Sequence, residues 1–266
     1  MCWNDWRKLN RWLKKGDTVI ALMGGMGRNF NGSYEEYALL PIKNVFKIDT
    51  FSKLVDITDE QKKDLLEKYS KLPDAEIIKT EINSEPAFVT QDIDMIYMGP
   101  MPENIQEVAI RKLRPYKEKI EELIKKNVVF LVTGNAVELF GKYIENEDGS
   151  KIEALSIFDI YAKRDMMHRH NSIFLGKYED IEIVGFKSQF TMAYGDNENN
   201  YFVEAEKGIG LNKESKLEGI KQNNFIGTYL IGPILILNPL FTKKLIQMLG
   251  VEKPTIAFEK ETMDAY

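Results

Sequence analysis

Cysteine is nearly absent from this chain, Cys2 being the only one in 266 residues. A single thiol excludes an internal disulfide and a multi-cysteine zinc site. It stands beside Trp3 with no strand-to-turn context to activate it, so it reads as an incidental terminal thiol rather than a nucleophile. Histidine is scarce as well. His168 and His170 sit in Met-Met-His-Arg-His-Asn, where i, i+2 spacing could chelate a metal from a strand, yet no cysteine, histidine or carboxylate motif accompanies them. They are expected to be polar, partly exposed residues, with no metal site and no cofactor. A run of eighteen apolar residues is missing too, and Met1 to Lys8 lacks the charged-then-apolar order of a secretory signal. A cytoplasmic location is the expectation. The formal charge of -5 is spread over interspersed acids and bases, so nothing forms the basic footprint of a nucleic-acid binder, and no nucleic acid or membrane partner is expected.

What is present suffices for a full core. With 44% hydrophobic residues, residues 1–266 are expected to form one large domain, with 24–72 as an insertion inside it. Val19-Ile20-Ala21-Leu22 reads as a first strand and Ile77 to Ile82 as a second. Asp94 to Met98 is a strand ending at Gly99-Pro100, and Ile105 to Lys126 carries apolar residues at helical spacing. Val128 to Val132 is a buried strand running into Thr133-Gly134-Asn135, after which Ala136 to Phe140 begins a helix stopped by Gly141. The second half is made of short extended segments: Ile152–Tyr161, Ile173–Leu175, Ile181–Phe186, Tyr201–Ala205 and Asn224–Tyr229. Their turns suggest an antiparallel extension of the sheet, closed by a helix over about 239–249. The charged helical stretch Asp59 to Ser70 interrupts the strand-helix order, which is why 24–72 is taken as an insertion.

Two further features draw attention. Gly24-Gly25-Met26-Gly27-Arg28 after a strand invites a phosphate-loop reading, but it lacks the Gly-Lys-Ser/Thr ending and does not meet Gly-x-Gly-x-x-Gly; a tight turn is the plainer account. Trp3, Trp6 and Trp12 with Leu9 and Leu13 form an aromatic stripe suited either to packing on its own domain or to docking a partner.

Four separated stretches carry a family resemblance: Asp92-Ile-Asp-Met-Ile-Tyr-Met-Gly99, Val128 to Tyr143, Ile183-Val-Gly-Phe186, and Phe225-Ile-Gly-Thr-Tyr-Leu-Ile-Gly-Pro-Ile234. From about Asp74 to Val251 the chain resembles the CobB/CobQ branch of the class I glutamine amidotransferases, and within it the glutaminase subunits of lipid II isoglutaminyl synthases, which partner a Mur-ligase-like protein. The resemblance implies an α/β fold, a three-layer class I glutamine-amidotransferase-like (flavodoxin-like) arrangement with a mostly parallel sheet and an antiparallel extension. Such enzymes need a thiolate on a sharp strand-to-helix turn, a histidine to take its proton, and backbone N–H groups for the oxyanion. The family elbow reads roughly Cys-Gly-Gly-Tyr-Gln-x-Leu-Gly. Matching its Gln to Glu138 and its last Gly to Gly141 sets the nucleophile at Gly134. The family histidine falls on Ile231, inside an otherwise kept Gly-Thr-Tyr-x-x-Gly-Pro stretch. Either loss alone removes about two to four orders of magnitude of rate.

The resemblance therefore implies no catalytic residues, vestigial nucleophile and base positions at Gly134 and Ile231, and a vestigial pocket including Gly99, Thr133, Asn135 and Gln189. After Gly185-Phe186 the family continues with Glu-Asn-His, whereas this chain has Lys187-Ser188-Gln189, a local charge reversal that argues against glutamine recognition. Thr133 as a relocated nucleophile lacks a base in the motif. Glu138 is placed to cap or brace the elbow helix. The expectation is a catalytically degenerate, binding or scaffolding protein without glutaminase activity, its partner a ligase-like protein, a small molecule or a second copy of itself. The alternatives are an active amidotransferase or hydrolase with a relocated nucleophile, and a nucleotide-binding module at residues 24–28.

Overall fold

The computed structural model describes residues 19–21, 45–47, 76–232, 234–256 and 259–266. The chain divides into two compact units, Met1–Ile77 and Ile78–Tyr266. In the first, β1 (Val19–Ala21) and β2 (Val45–Lys47) pair antiparallel. The tryptophan stripe, the glycine-rich turn and the charged helix all lie outside the described residues, as does the expected insertion 24–72 apart from β2.

The second unit is built around β3 (Met95–Met98) and β4 (Val129–Thr133). Between them run α1 (Glu103–Leu113), a 3-10 turn at Arg114–Tyr116, and α2 (Lys117–Lys125). One continuous helix was the expectation from the spacing over 105–126. Pro115 breaks it, because proline has no N–H to donate and its ring crowds the preceding turn. Asn127, at φ 62, ends α2 in the left-handed conformation, and the Val128 N–H returns to Leu123 O at 3.1 Å.

After β4 come a 3-10 helix (Gly134–Phe140), β5 (Tyr143–Glu145), β6 (Lys151–Glu153) and β7 (Ile160–Arg164). Then follow β8 (His170–Tyr178), β9 (Ile181–Gln189), β10 (Thr191–Gly195), β11 (Val203–Lys207), β12 (Leu217–Glu218), β13 (Ile220–Gln222) and β14 (Phe225–Thr228). The chain closes with α3 (Ile234–Leu237), α4 (Pro239–Met248) and α5 (Glu259–Ala265).

Three four-stranded sheets result, in the orders β13-β14-β4-β3, β10-β7-β5-β6 and β12-β11-β8-β9. In the first, β3, β4 and β14 run parallel. Residues 224–229 were expected within the antiparallel part; pairing β14 with β4 in parallel instead reflects its position beside the elbow strand, buried on both faces like β4. Residues 152–161, expected as one extended segment, are split between β6 and β7. Ile77 to Ile82 forms no strand: Ile77 is 77% exposed, and the stretch joins no sheet among the described residues.

β4 shows why this strand anchors the unit. Phe130 and Val132 point into one core with α1, α2, the 3-10 helix and Phe225, while Val129 and Leu131 point into the other with β8, β9, β11 and α4. Period-two alternation thus buries both faces, each large side chain contributing about 1.5–3 kcal/mol. Its C-terminal end, where Thr133 meets Gly134, is consequently held from both sides.

Candidate functional site

The elbow forms where β4 stops. Gly134 has φ +62, a left-handed backbone that a side chain enters only with strain, and the chain turns at once into the 3-10 helix. A Cβ built on Gly134 would lie 2.6 Å from Pro100 Cβ and 3.3 Å from Ile231 Cγ2. Gly134 and Ile231 therefore face each other, and Pro100 occupies the space between the elbow and solvent. Ile231 is placed by the main chain of a neighbouring strand: its N–H donates to Phe186 O at 2.9 Å.

The other expected pocket residues divide. Gly99 and Thr133 lie at the elbow, where Tyr97 OH is 3.4 Å from Thr133 Oγ1 and covers Gly99. Asn135 holds the facing loop by two bonds, Oδ1 accepting from Met101 N–H at 2.9 Å and Nδ2 donating to Met101 O at 2.7 Å. Gln189 is not joined to them. Its amide donates to Thr191 O at 2.6 Å and lies against Met192 Sδ within the β9–β10 turn.

Loop 99–102 also bears on oxyanion binding. In elbow enzymes one donor follows the nucleophile and another comes from a facing loop. Here Pro100 has no N–H, and the Met101 N–H is committed to Asn135.

Behind the apolar front lies a buried polar cluster that sequence reasoning missed apart from Glu138. Gln106 Nε2 donates to Asn135 O and to Glu138 Oε2, both at 2.8 Å; Tyr229 OH donates to Glu138 Oε1 at 3.0 Å. Arg164 donates to Gln106 Oε1 at 2.8 Å, to Asn146 Oδ1 at 2.9 Å and to Glu107 Oε1 at 3.1 Å. Burial pushes the Glu138 carboxyl up to about 7, opposed by the Gln106 and Tyr229 hydrogen bonds and by the Arg164 charge. Glu138 does brace the elbow helix, tying it to α1 through Gln106 and to Tyr229, which follows β14. A carboxylate inside the apolar run Ala136-Val137-Glu138-Leu139-Phe140 was the available clue, since such a group demands buried partners.

Lys187 behaves differently from the charge reversal expected of it. The side chain is fully buried and pairs with Glu218, also fully buried. Glu218 Oε1 accepts from Thr228 Oγ1 at 2.8 Å and from Tyr229 N–H at 2.7 Å. Burial pushes the Lys187 ammonium down, and Glu218 pulls it back. Its charge is thus spent on fixing residues 228–229, with none reaching the elbow.

His168 is exposed and its Nδ1 lies 2.8 Å from Asp165 Oδ1, while His170 Nε2 lies 3.0 Å from Ser172 Oγ. Among the described residues no three His, Cys, Asp or Glu side chains converge on a point that could hold a metal ion, and no helix is long and apolar enough to cross a membrane.

Comparison with known proteins adds sequence likeness to this geometry. The model of the CobB/CobQ-like glutamine amidotransferase domain matches residues 60–238. The lipid II isoglutaminyl synthase (glutamine-hydrolyzing) subunit GatD of Staphylococcus aureus (strain N315) is 29% identical over 184 residues, covering 69% of this chain and 74% of that protein. The subunit of the same name from Streptococcus pneumoniae (strain ATCC BAA-255 / R6) is 24% identical over 159 residues, covering 58% of this chain and 60% of its own. A solved structure of a glutamine amidotransferase aligns with TM-score 0.48 and 10% identity over 71% of this chain and 93% of that one.

Proposed function

This chain belongs to the CobB/CobQ-like glutamine amidotransferase family, and we propose that it is a catalytically degenerate member that acts as a binding or scaffolding subunit beside a ligase-like partner. The fold is the α/β, class I glutamine-amidotransferase-like one. The observation carrying the proposal is the elbow geometry: Gly134 and Ile231, which the family resemblance sets at the nucleophile and base positions, face each other, and Pro100 packs against Gly134. General-base activation needs a titratable group within hydrogen-bond reach of the nucleophile, and an aliphatic side chain supplies none. On the oxyanion side, Pro100 has no N–H to offer and the Met101 N–H is held by Asn135.

A relocated nucleophile finds little support. Thr133 is buried, and the side chain that reaches its hydroxyl is the Tyr97 phenol at 3.4 Å, with no imidazole or carboxylate bonded to it among the described residues. The partner is proposed because the two relatives are named as subunits of a synthase. The test is twofold. Purified protein supplied with glutamine should release no ammonia above buffer, and an affinity-tagged copy in its native cell should co-purify with a ligase-like chain. Glutamine hydrolysis that Thr133→Ala abolishes would overturn the proposal.

A further inference from the structure

The outer face of β8 and β9 departs from the pattern of an antiparallel sheet with one side in water, where outward positions are polar. These two strands pair antiparallel over their whole length, and their outward positions match as Lys177 with Glu182, Leu175 with Val184, Ile173 with Phe186, and Asn171 with Ser188. The two central pairs are apolar. Ile173 is 78% exposed and Phe186 39%, on a face whose inward neighbours Phe174, Ile181 and Ile183 already fill the core. The patch continues sideways. Asn238 takes both the N–H and the C=O of Val184, at 2.8 Å each, and so fixes α3 along β9, where Ile236 is 70% exposed and Leu237 41%. A contiguous apolar patch with a polar end on either side marks an interaction surface.

We infer that this face is the two-fold interface between two copies of the chain, packed sheet on sheet. The register itself selects the occupant. A two-fold axis running along the midline between β8 and β9 lays β8 of one copy over β9 of the other at the same level. Ile173 then meets the second copy's Phe186, Leu175 meets its Val184, Lys177 meets its Glu182, and each contact occurs twice, as an isologous interface requires. Unlike charges meet at the Lys177–Glu182 level and unlike apolar shapes at the two central levels, and the neighbouring β11 adds Glu204 beside Lys177 and Lys207 beside Leu175. Charges of both signs side by side suit a self-complementary partner better than one of a single strong sign. Sheets packed this way lie about 10 Å apart with their strands roughly aligned. Two apolar pairs and one charged pair make a small face, so a weak, reversible dimer is expected, with a dissociation constant on the order of micromolar. This inference is independent of whether the elbow is catalytically dead.

Sedimentation equilibrium of the full chain between about 1 and 100 µM tests it, a span chosen to bracket micromolar affinity. The expected result is reversible dimerisation, weakened at least tenfold by Ile173→Lys, whose exposed site leaves the fold intact by circular dichroism. The decisive arm uses charges. Lys177→Glu and Glu182→Lys should each weaken self-association, and mixing the two variants should restore it as a heterodimer, because only the mixture sets unlike charges face to face. A wild-type chain that stays monomeric throughout, a dimer insensitive to Ile173→Lys, or a mixture no tighter than its components would each overturn the inference.

Discussion

The front and the back of the elbow are a few ångströms apart and have opposite chemistry. The front is Gly134, Pro100 and Ile231, three residues without an ionisable side chain. The back holds Gln106, Glu138, Arg164 and Tyr229 in one hydrogen-bonded cluster, with Lys187 and Glu218 fully buried alongside. The difference teaches what each set of groups is for. Reactive groups at the front serve only a reaction and can be replaced by apolar ones without loss of fold. Polar groups at the back are bonded to one another across four elements, and removing any one leaves its partners buried and unsatisfied.

The largest expected effect is therefore at the back. Lys187→Met should destabilise the protein by about 3–5 kcal/mol, since Glu218 is left as an uncompensated buried charge. The double variant Lys187→Met with Glu218→Leu should recover much of that loss. Urea unfolding of the three proteins checks this, and equal midpoints for the single and double variants would contradict it.

Glu138 comes next. Its carboxyl in the fold titrates at about 7, above the ordinary 4.5, so the fold favours the protonated form. Its stabilising contribution is complete below about pH 4.5 and is lost as pH rises through about 7, a change on the order of 3 kcal/mol. Glu138→Gln stays neutral throughout and should flatten that part of the stability profile between pH 5 and 8. A wild type and variant with parallel profiles would show that Glu138 is ionised in the fold at every pH tested.

The smallest effect is expected at the front. Gly134→Cys forces a side chain onto a left-handed backbone and against Pro100, costing about 1–3 kcal/mol. Adding Ile231→His should cost little more, because Ile231 is only half-buried, and the pair should not hydrolyse glutamine while Pro100 stays in place. Melting temperatures read the first statement and ammonia release the second. A Gly134→Cys protein that melts with its parent would mean that the Pro100 ring is not a barrier.

Much of the second unit was legible in the residues. β3, β4 and β14 lie on apolar runs of the sequence, near-continuous in β4 and β14, which are buried on both faces, although the parallel pairing of β14 was not foreseen. The pairing of Gly134 with Ile231 was legible only through likeness to a family, as the two lie 97 positions apart, from 134 to 231, and neither carries a chemical signature. Lys187 was misjudged for a related reason. Its charge is visible in the sequence, whereas Glu218, which neutralises it, is thirty-one positions away (187 to 218) and marked by no motif. The strand anticipated at 77–82 failed because β-forming residues specify a strand only when a neighbour offers hydrogen bonds.

By itself the amino-acid sequence determined local events: that residues 94–98 and 128–132 extend, that helix follows between them, and that Gly134 permits a sharp turn. These depend on groups within a few residues of one another, so they can be read in order along the chain. Tertiary structure alone decided that Pro100 fills the elbow, that Asn135 locks the facing loop, and that Lys187 is silenced by Glu218. Each of these joins residues from separate strands and loops, and their energies depend on distance and burial, quantities that exist only once the chain has packed.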